Sequence, residues 1–223
     1  MDWTPLFITL RLALVTTVIL VVVSIPIAHW LAFTKSKLKP FIETLVSMPL
    51  VLPPTVLGFY LLVAFSPSSA FGGWLETTFG LRLIFSFQGL VVASLIYSLP
   101  FMVHPLQSGF TQIPGSIIDA SYVLGKSKLV TLQKVLLPNI QPAILTGIVL
   151  TFAHTIGEFG VVLMIGGNIP GQTKVASIAI YDEVESLNYA GANSYSLVLF
   201  SLAFVILLSV YLINGRGIKS LWK

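Results

Sequence analysis

Leu6–Phe33 reads LFITLRLALVTTVILVVVSIPIAHWLAF, a 28-residue stretch whose one Lys, Arg, Asp or Glu is Arg11. At 1.5 Å of rise per residue it makes a helix of roughly 42 Å, longer than the ~30 Å hydrocarbon core of a bilayer. The stretch is too long for a secretory signal, Asp2 rather than a basic cluster precedes it, and no A-x-A site follows, so it is expected to be retained. Arg11 lies near one end, where its side chain can snorkel to the interface in a structural role.

Four further apolar stretches follow: Phe41–Phe65, Phe87–Phe110, Pro142–Ile165 and Ser194–Ile213. Composition supports spans throughout. Apolar residues make up 56% of the 223 residues and charged residues 9%, against about a quarter charged in soluble domains. No Ser-rich, Gly-rich or charged linker divides the chain. The expected fold is therefore all-α: residues 1–223 as a single polytopic transmembrane bundle of about five spans.

The net charge is +4, and nine of the twelve cations fall into three short segments between or after the spans. These are Lys35, Lys37 and Lys39; Lys126, Lys128 and Lys134; and Arg216, Lys219 and Lys223. Membrane topology produces this distribution, with basic loops held in the cytoplasm, so nucleic acid is not an expected partner. The opposite side holds Arg82 and Lys174 with Asp2, Glu76, Asp182, Glu183 and Glu185. An odd number of spans then puts the N-terminus outside. With no Cys, and with His29, His104 and His154 scattered, neither thiol chemistry nor a metal site is expected, and no cofactor is called for. An intramembrane hydrolase would need a paired nucleophile and base, which are missing, so the chain is not expected to be an enzyme.

The cytoplasmic segment 111–141 is too interrupted to span. It reads as two short helices. Ser116 with Asp119 forms a capping box, Gly125 ends the first helix with a left-handed backbone, and Pro138 stops the second, Ser127–Leu137. Ile117, Ile118, Val123 and Leu124 form an apolar surface suited to docking on another protein, or to lying on lipid. The run ASYVLGKS, residues 120–127, imitates a phosphate loop at Gly125, Lys126 and Ser127, but Ala120 replaces its first glycine and no strand precedes it.

DASYVLG, nine residues, then VLLP resembles the cytoplasmic signature of binding-protein-dependent ABC importer permeases: E-A-A, three residues, Gly, nine residues, I-x-L-P. Asp119, Ala120, Ser121, Gly125, Val135, Leu137 and Pro138 fall on its positions, with Asp and Ser as conservative replacements. The resemblance implies a type I importer fold and a coupling helix seated in a groove of a separate ATPase, present in two copies. MPLVLPPTVLGFYLLV and FAHTIGEFGVVLMIGGNIPGQT, the latter Phe152–Thr173, are similar to molybdate-importer permeases, and sulfate permeases carry looser versions. The expected function is thus the permease of a molybdate importer in a bacterial inner membrane, working as a homodimer with a periplasmic oxyanion-binding protein. Sulfate or tungstate importers are the alternatives within this class. A proton-coupled secondary transporter is the alternative from another class, although such proteins usually carry several intramembrane ionisable groups.

Within the spans, Pro49, Pro53 and Pro54 either bend the second one into part of a gate or simply delay its start. His154 stands where related permeases often carry Arg. Glu158 is the sole acid well inside a span. It is flanked by Phe159 and by Gly157 and Gly160, two glycines expected to allow close helix approach. A carboxylate repels an oxyanion, so a hydrogen-bonded structural or gating role is favoured over substrate contact. A pair with His154, four residues earlier on the same helical face, is open. The outer segment Thr173–Leu187 reads as a docking helix capped by Thr173 with Val175, Ile178 and Val184 on one side, or equally as a packing helix.

Overall fold

The computed structural model describes residues 1–220, so Lys223 lies outside the described residues. These residues form helices α1 (Thr4–Phe33), α2 (Lys39–Val51), α3 (Pro54–Phe65), α4 (Ala70–Phe79), α5 (Phe87–Thr111), α6 (Gly115–Val123), α7 (Lys128–Thr131), α8 (Leu137–Asn139), α9 (Gln141–Ile156), α10 (Gly160–Gly166), α11 (Ala176–Glu185) and α12 (Tyr189–Ser220), with one π turn, Leu132–Leu136, between α7 and α8. Proline in the first turn starts α1, α2, α3 and α9, where its missing N–H costs no helical hydrogen bond. Ser69 and Ser86 cap α4 and α5 by accepting from the amides of Gly72 and Gly89 at 2.9 and 3.1 Å.

α1, α5 and the Tyr189–Ser209 part of α12 are each long and apolar enough to cross a membrane. Two more crossings exist if bent pairs count as single spans: α2 with α3, bent by 113°, and the Lys128–Asn139 helical run with α9, bent by 74°. The total therefore reaches five, but the spans differ from the sequence reading. The expected crossing Pro142–Ile165 stops at Ile156, and Gly157, Glu158 and Phe159 leave the helix before α10 resumes. Around Pro53 the chain does not merely start late. α2 is already helical through Pro49, and the turn falls at Leu52–Pro53.

α5 is the central post, packed on α1 and α9. At one end Phe110, Leu31, Leu106, Leu136 and Ile140 form a core beneath α6–α8. At the other, Ile8 and Leu12 meet Leu90, Val162 and Ile178, while Leu83 and Ile84 pack with Ile165. The Asp2 amide donates to Tyr195 Oη at 3.2 Å, and Lys174 pairs with Asp182. Asp2, Lys174 and Asp182 thus cluster at one end, and the segments bearing Lys35–Lys39 and Lys126–Lys134 lie at the other, the partition that the cation count requires. Arg11 stacks over the Phe87 ring at 4.4 Å, at the start of α5.

Candidate functional site: two helix breaks and a projecting hairpin

The two interruptions within apolar sequence meet in space. α3 packs along α10, and at Gly160 a Cβ would lie 2.8 Å from Pro54 Cβ. At Gly58 a Cβ would lie 2.9 Å from Met164 Cβ, so glycine at both positions lets the helices touch backbone to side chain. Gly157 does not take part in this approach. The nearest atoms to its missing side chain are carbonyls of its own helix, at 3.8 Å and beyond.

An open cavity of about 500 Å³ lies where the breaks meet, lined by Pro54, Thr55, Tyr97, His154, Gly157, Glu158, Phe159 and Gly160 among others. Most of the residues picked from sequence as a pathway or gate therefore converge. Pro49 and Pro53 do not line the cavity; they shape the bend beside it. Irregular backbone at membrane depth is tolerated where it is packed in protein or borders a cavity, and both conditions hold here.

Glu158 is 4% exposed and does not pair with His154, because α9 ends between them and the i,i+4 relation is lost. Each turns instead to α5. Ser94 Oγ donates to Glu158 Oε2 at 2.8 Å, and Ser98 Oγ lies 3.1 Å from His154 Nδ1 and 3.0 Å from Thr155 Oγ1. The His154 ring stacks on Phe101 with centroids 4.0 Å apart. From α11, Ser177 Oγ donates to the Glu158 carbonyl at 2.6 Å, satisfying backbone that the break had freed. Glu158 Oε1 has no partner among the described residues. Ser94, Ser98 and Ser177 were missed in the sequence. The available signal was two serines four apart on one face of an apolar helix, since each needs a partner off the helix.

The second region is the hairpin 111–141. α6 starts at Gly115 after Pro114, with no side-chain cap, so Ser116 and Asp119 do not form a capping box. Pro114 takes the N-cap two positions earlier than Ser116, which puts Ser116 inside the helix. Gly125 has φ +73° and ends α6 as expected. Its amide donates to the Tyr122 carbonyl and that of Lys126 to Ser121, at 2.9 and 3.1 Å, the paired bonds of a Schellman motif. Both amides are thereby spent, so neither can cradle a phosphate. Ser127 caps the next helix, which passes Pro138 and ends at Asn139; the π turn shifts the bonding before the proline.

Of the signature residues, Ser121 is buried and bonds Thr131 Oγ1 at 2.9 Å, pinning the two short helices together. Val135 and Leu137 pack against the Phe110 core, whereas Asp119, Ala120 and Pro138 are exposed. Val123 and Leu124 project furthest, at 88% and 74% exposure. At the opposite end of the bundle the expected docking face is not free. Val175 and Ile178 are buried, Val184 alone of the three is exposed at 43%, and Thr173 does not cap α11; it donates to the Gly166 carbonyl at 2.6 Å. α11 is a packing helix.

The family described as binding-protein-dependent transport system inner membrane component matches residues 21–217. The molybdenum transport system permease protein ModB of Azotobacter vinelandii is 48% identical over 98% of this chain and 96% of its own. A putative molybdenum transport system permease of Bacillus subtilis is 33% identical over 92% of this chain and 90% of its own. Among solved structures, an inward-facing form of the MetNI methionine ABC transporter aligns with a TM-score of 0.73, covering 95% of this chain and 94% of that one at 18% identity. A bacterial ABC transporter involved in import of the polysaccharide alginate aligns at 0.75, over 94% and 79% at 17% identity, and both likenesses establish the fold. Matched along most of its length, the chain belongs to the binding-protein-dependent transport system inner membrane components.

Proposed function

We propose that the chain is the permease subunit of an ATP-driven molybdate importer in a bacterial cytoplasmic membrane. Two copies enclose the pathway, with the paired breaks at Pro53–Pro54 and Gly157–Gly160 as its gate. Each copy seats α6 and α7 in one of two ATPase subunits, and a periplasmic oxyanion-binding protein delivers the anion to the outer end. The carrying observation is the 48% identity to ModB across nearly the full length of both chains. The exposed Val123 and Leu124 on a rigidly capped hairpin support the ATPase contact, because an apolar tip on a short helix at a basic membrane face is covered at low cost only by another surface. Family membership sets aside the proton-coupled secondary transporter.

Sulfate is the second reading, since sulfate transport permeases match at 29–33% identity. Tungstate, as an oxyanion of the same shape, shares the first. The test is ATP hydrolysis by the complex reconstituted with its ATPase and binding protein. Molybdate should stimulate at concentrations where sulfate does not, and stimulation by sulfate alone would transfer the assignment. Orientation is tested in intact cells on a chain that has no native Cys. A membrane-impermeant thiol reagent should label Lys174→Cys and spare Lys128→Cys, and the reverse pattern would invert the topology.

A further inference from the structure

The two breaks meet beside one anchored residue. Glu158 sits in the non-helical link between α9 and α10, its Oε2 accepting from Ser94 on α5 and its carbonyl from Ser177 on α11. Two positions later, Gly160 rests on Pro54 at the start of α3, in a gap that would not admit a methyl group without a shift. The register of Gly160 on Pro54 therefore depends on where the link is held. Ser94 is fully buried, and since Glu158 Oε1 has no partner, the carboxylate has one side-chain anchor among the described residues. Among the described residues the Leu52–Pro53 bend has no comparable side-chain tether. α3 gets its position from packing on α10, through Gly58 against Met164 and Val161.

We propose that Glu158 is a positioning residue, held by Ser94 and Ser177, that sets both breaks at once, so that α3 and α10 shift as one body when the cavity opens or closes. This rests on the proposed transport function. Glu158 acts here as an acceptor, through its hydrogen bonds; its task is to keep the α3–α10 body in register with the ATPase-driven cycle.

The experiment measures ATP hydrolysed per molybdate taken up in proteoliposomes holding the complete complex. Ser94→Ala with Ser177→Ala should raise this ratio about fivefold or more, with hydrolysis and assembly retained, because the two lost hydrogen bonds bear on register. Glu158→Leu should behave alike, and Glu158→Gln, whose amide oxygen still accepts from Ser94, should restore the ratio to within about twofold of wild type. A double serine variant with the wild-type ratio would overturn the proposal. Should that variant fail to assemble, Gly58→Cys with Met164→Cys decides. The Cβ positions, 2.9 Å apart, need a shift of under about 1 Å to form a disulfide. Uptake that is equal before and after oxidation supports movement as one body; uptake lost on oxidation and regained on reduction refutes it. Absence of any oxyanion-stimulated hydrolysis in the wild-type complex would instead fail the transport reading itself.

Discussion

Gly160 and Gly125 are both glycines within motifs, and they do opposite work. Gly160 has ordinary backbone but no room, its missing Cβ falling 2.8 Å from Pro54; Gly125 has open space within 4 Å and a left-handed φ of +73°. The first belongs to a region where helices of this chain interlock around a buried carboxylate. The second belongs to a capped hairpin that holds Val123 and Leu124 in the open, where the proposed function seats the ATPase. Filling space in the first should therefore be felt as lost stability, and removing the exposed apolar tip of the second as lost association.

The largest effect should follow from filling the gap at the breaks. Gly160→Val must displace Pro54 and is expected to destabilise the chain by about 1–3 kcal/mol, read as a lower unfolding temperature in detergent. An unchanged midpoint would mean that α3 and α10 are loosely apposed and would dissolve the contrast. Next, Ser121→Ala removes the buried bond to Thr131 Oγ1 and should cost about 1 kcal/mol. Since that bond pins α6 to α7, faster amide exchange should be confined to residues 115–131, and exchange spreading into α5 would show that the hairpin is not a separate unit. Smallest in stability is Leu124→Asn, at a position already 74% exposed, with an expected change within about 0.5 kcal/mol. Its effect should appear in weaker co-purification of the ATPase, and a drop in stability without that weakening would place Leu124 among the packed residues instead.

How far the sequence foretold this depends on what kind of force sets each feature. The three unbroken spans follow from composition, because long apolar runs with 9% charged residues overall have too little polar surface to face water. Gly125 was legible for a similar reason: a left-handed cap needs glycine, and the helical pattern stops there. The break at Gly157–Phe159 was not, since an acid between glycines inside an apolar run also suits a continuous helix in close contact with a neighbour, and what holds the break is tertiary: Ser177 bonds the freed Glu158 carbonyl and Ser94 the Glu158 side chain. The false capping box at Ser116 and the false cap at Thr173 share one cause. Each hydroxyl matched a local pattern, but a nearby proline in one case and the Gly166 carbonyl in the other decided the local geometry. The outer helix α11 was ambiguous in pattern and became a packing helix because Ile178 had Ile8 and Leu12 to bury against.

The central claim is that the hairpin transmits rather than merely connects, and Gly125→Val tests it most directly. A β-branched residue at φ +73° is strained by about 1–2 kcal/mol, yet its side chain meets nothing, so the bundle should fold and the ATPase should still assemble. The measurement is molybdate uptake beside ATP hydrolysis in the reconstituted complex. The account predicts hydrolysis that persists while uptake is lost, because the re-aimed α6 no longer carries closure to the breaks. Uptake equal to wild type, with normal assembly, would contradict it and leave the hairpin a passive connector.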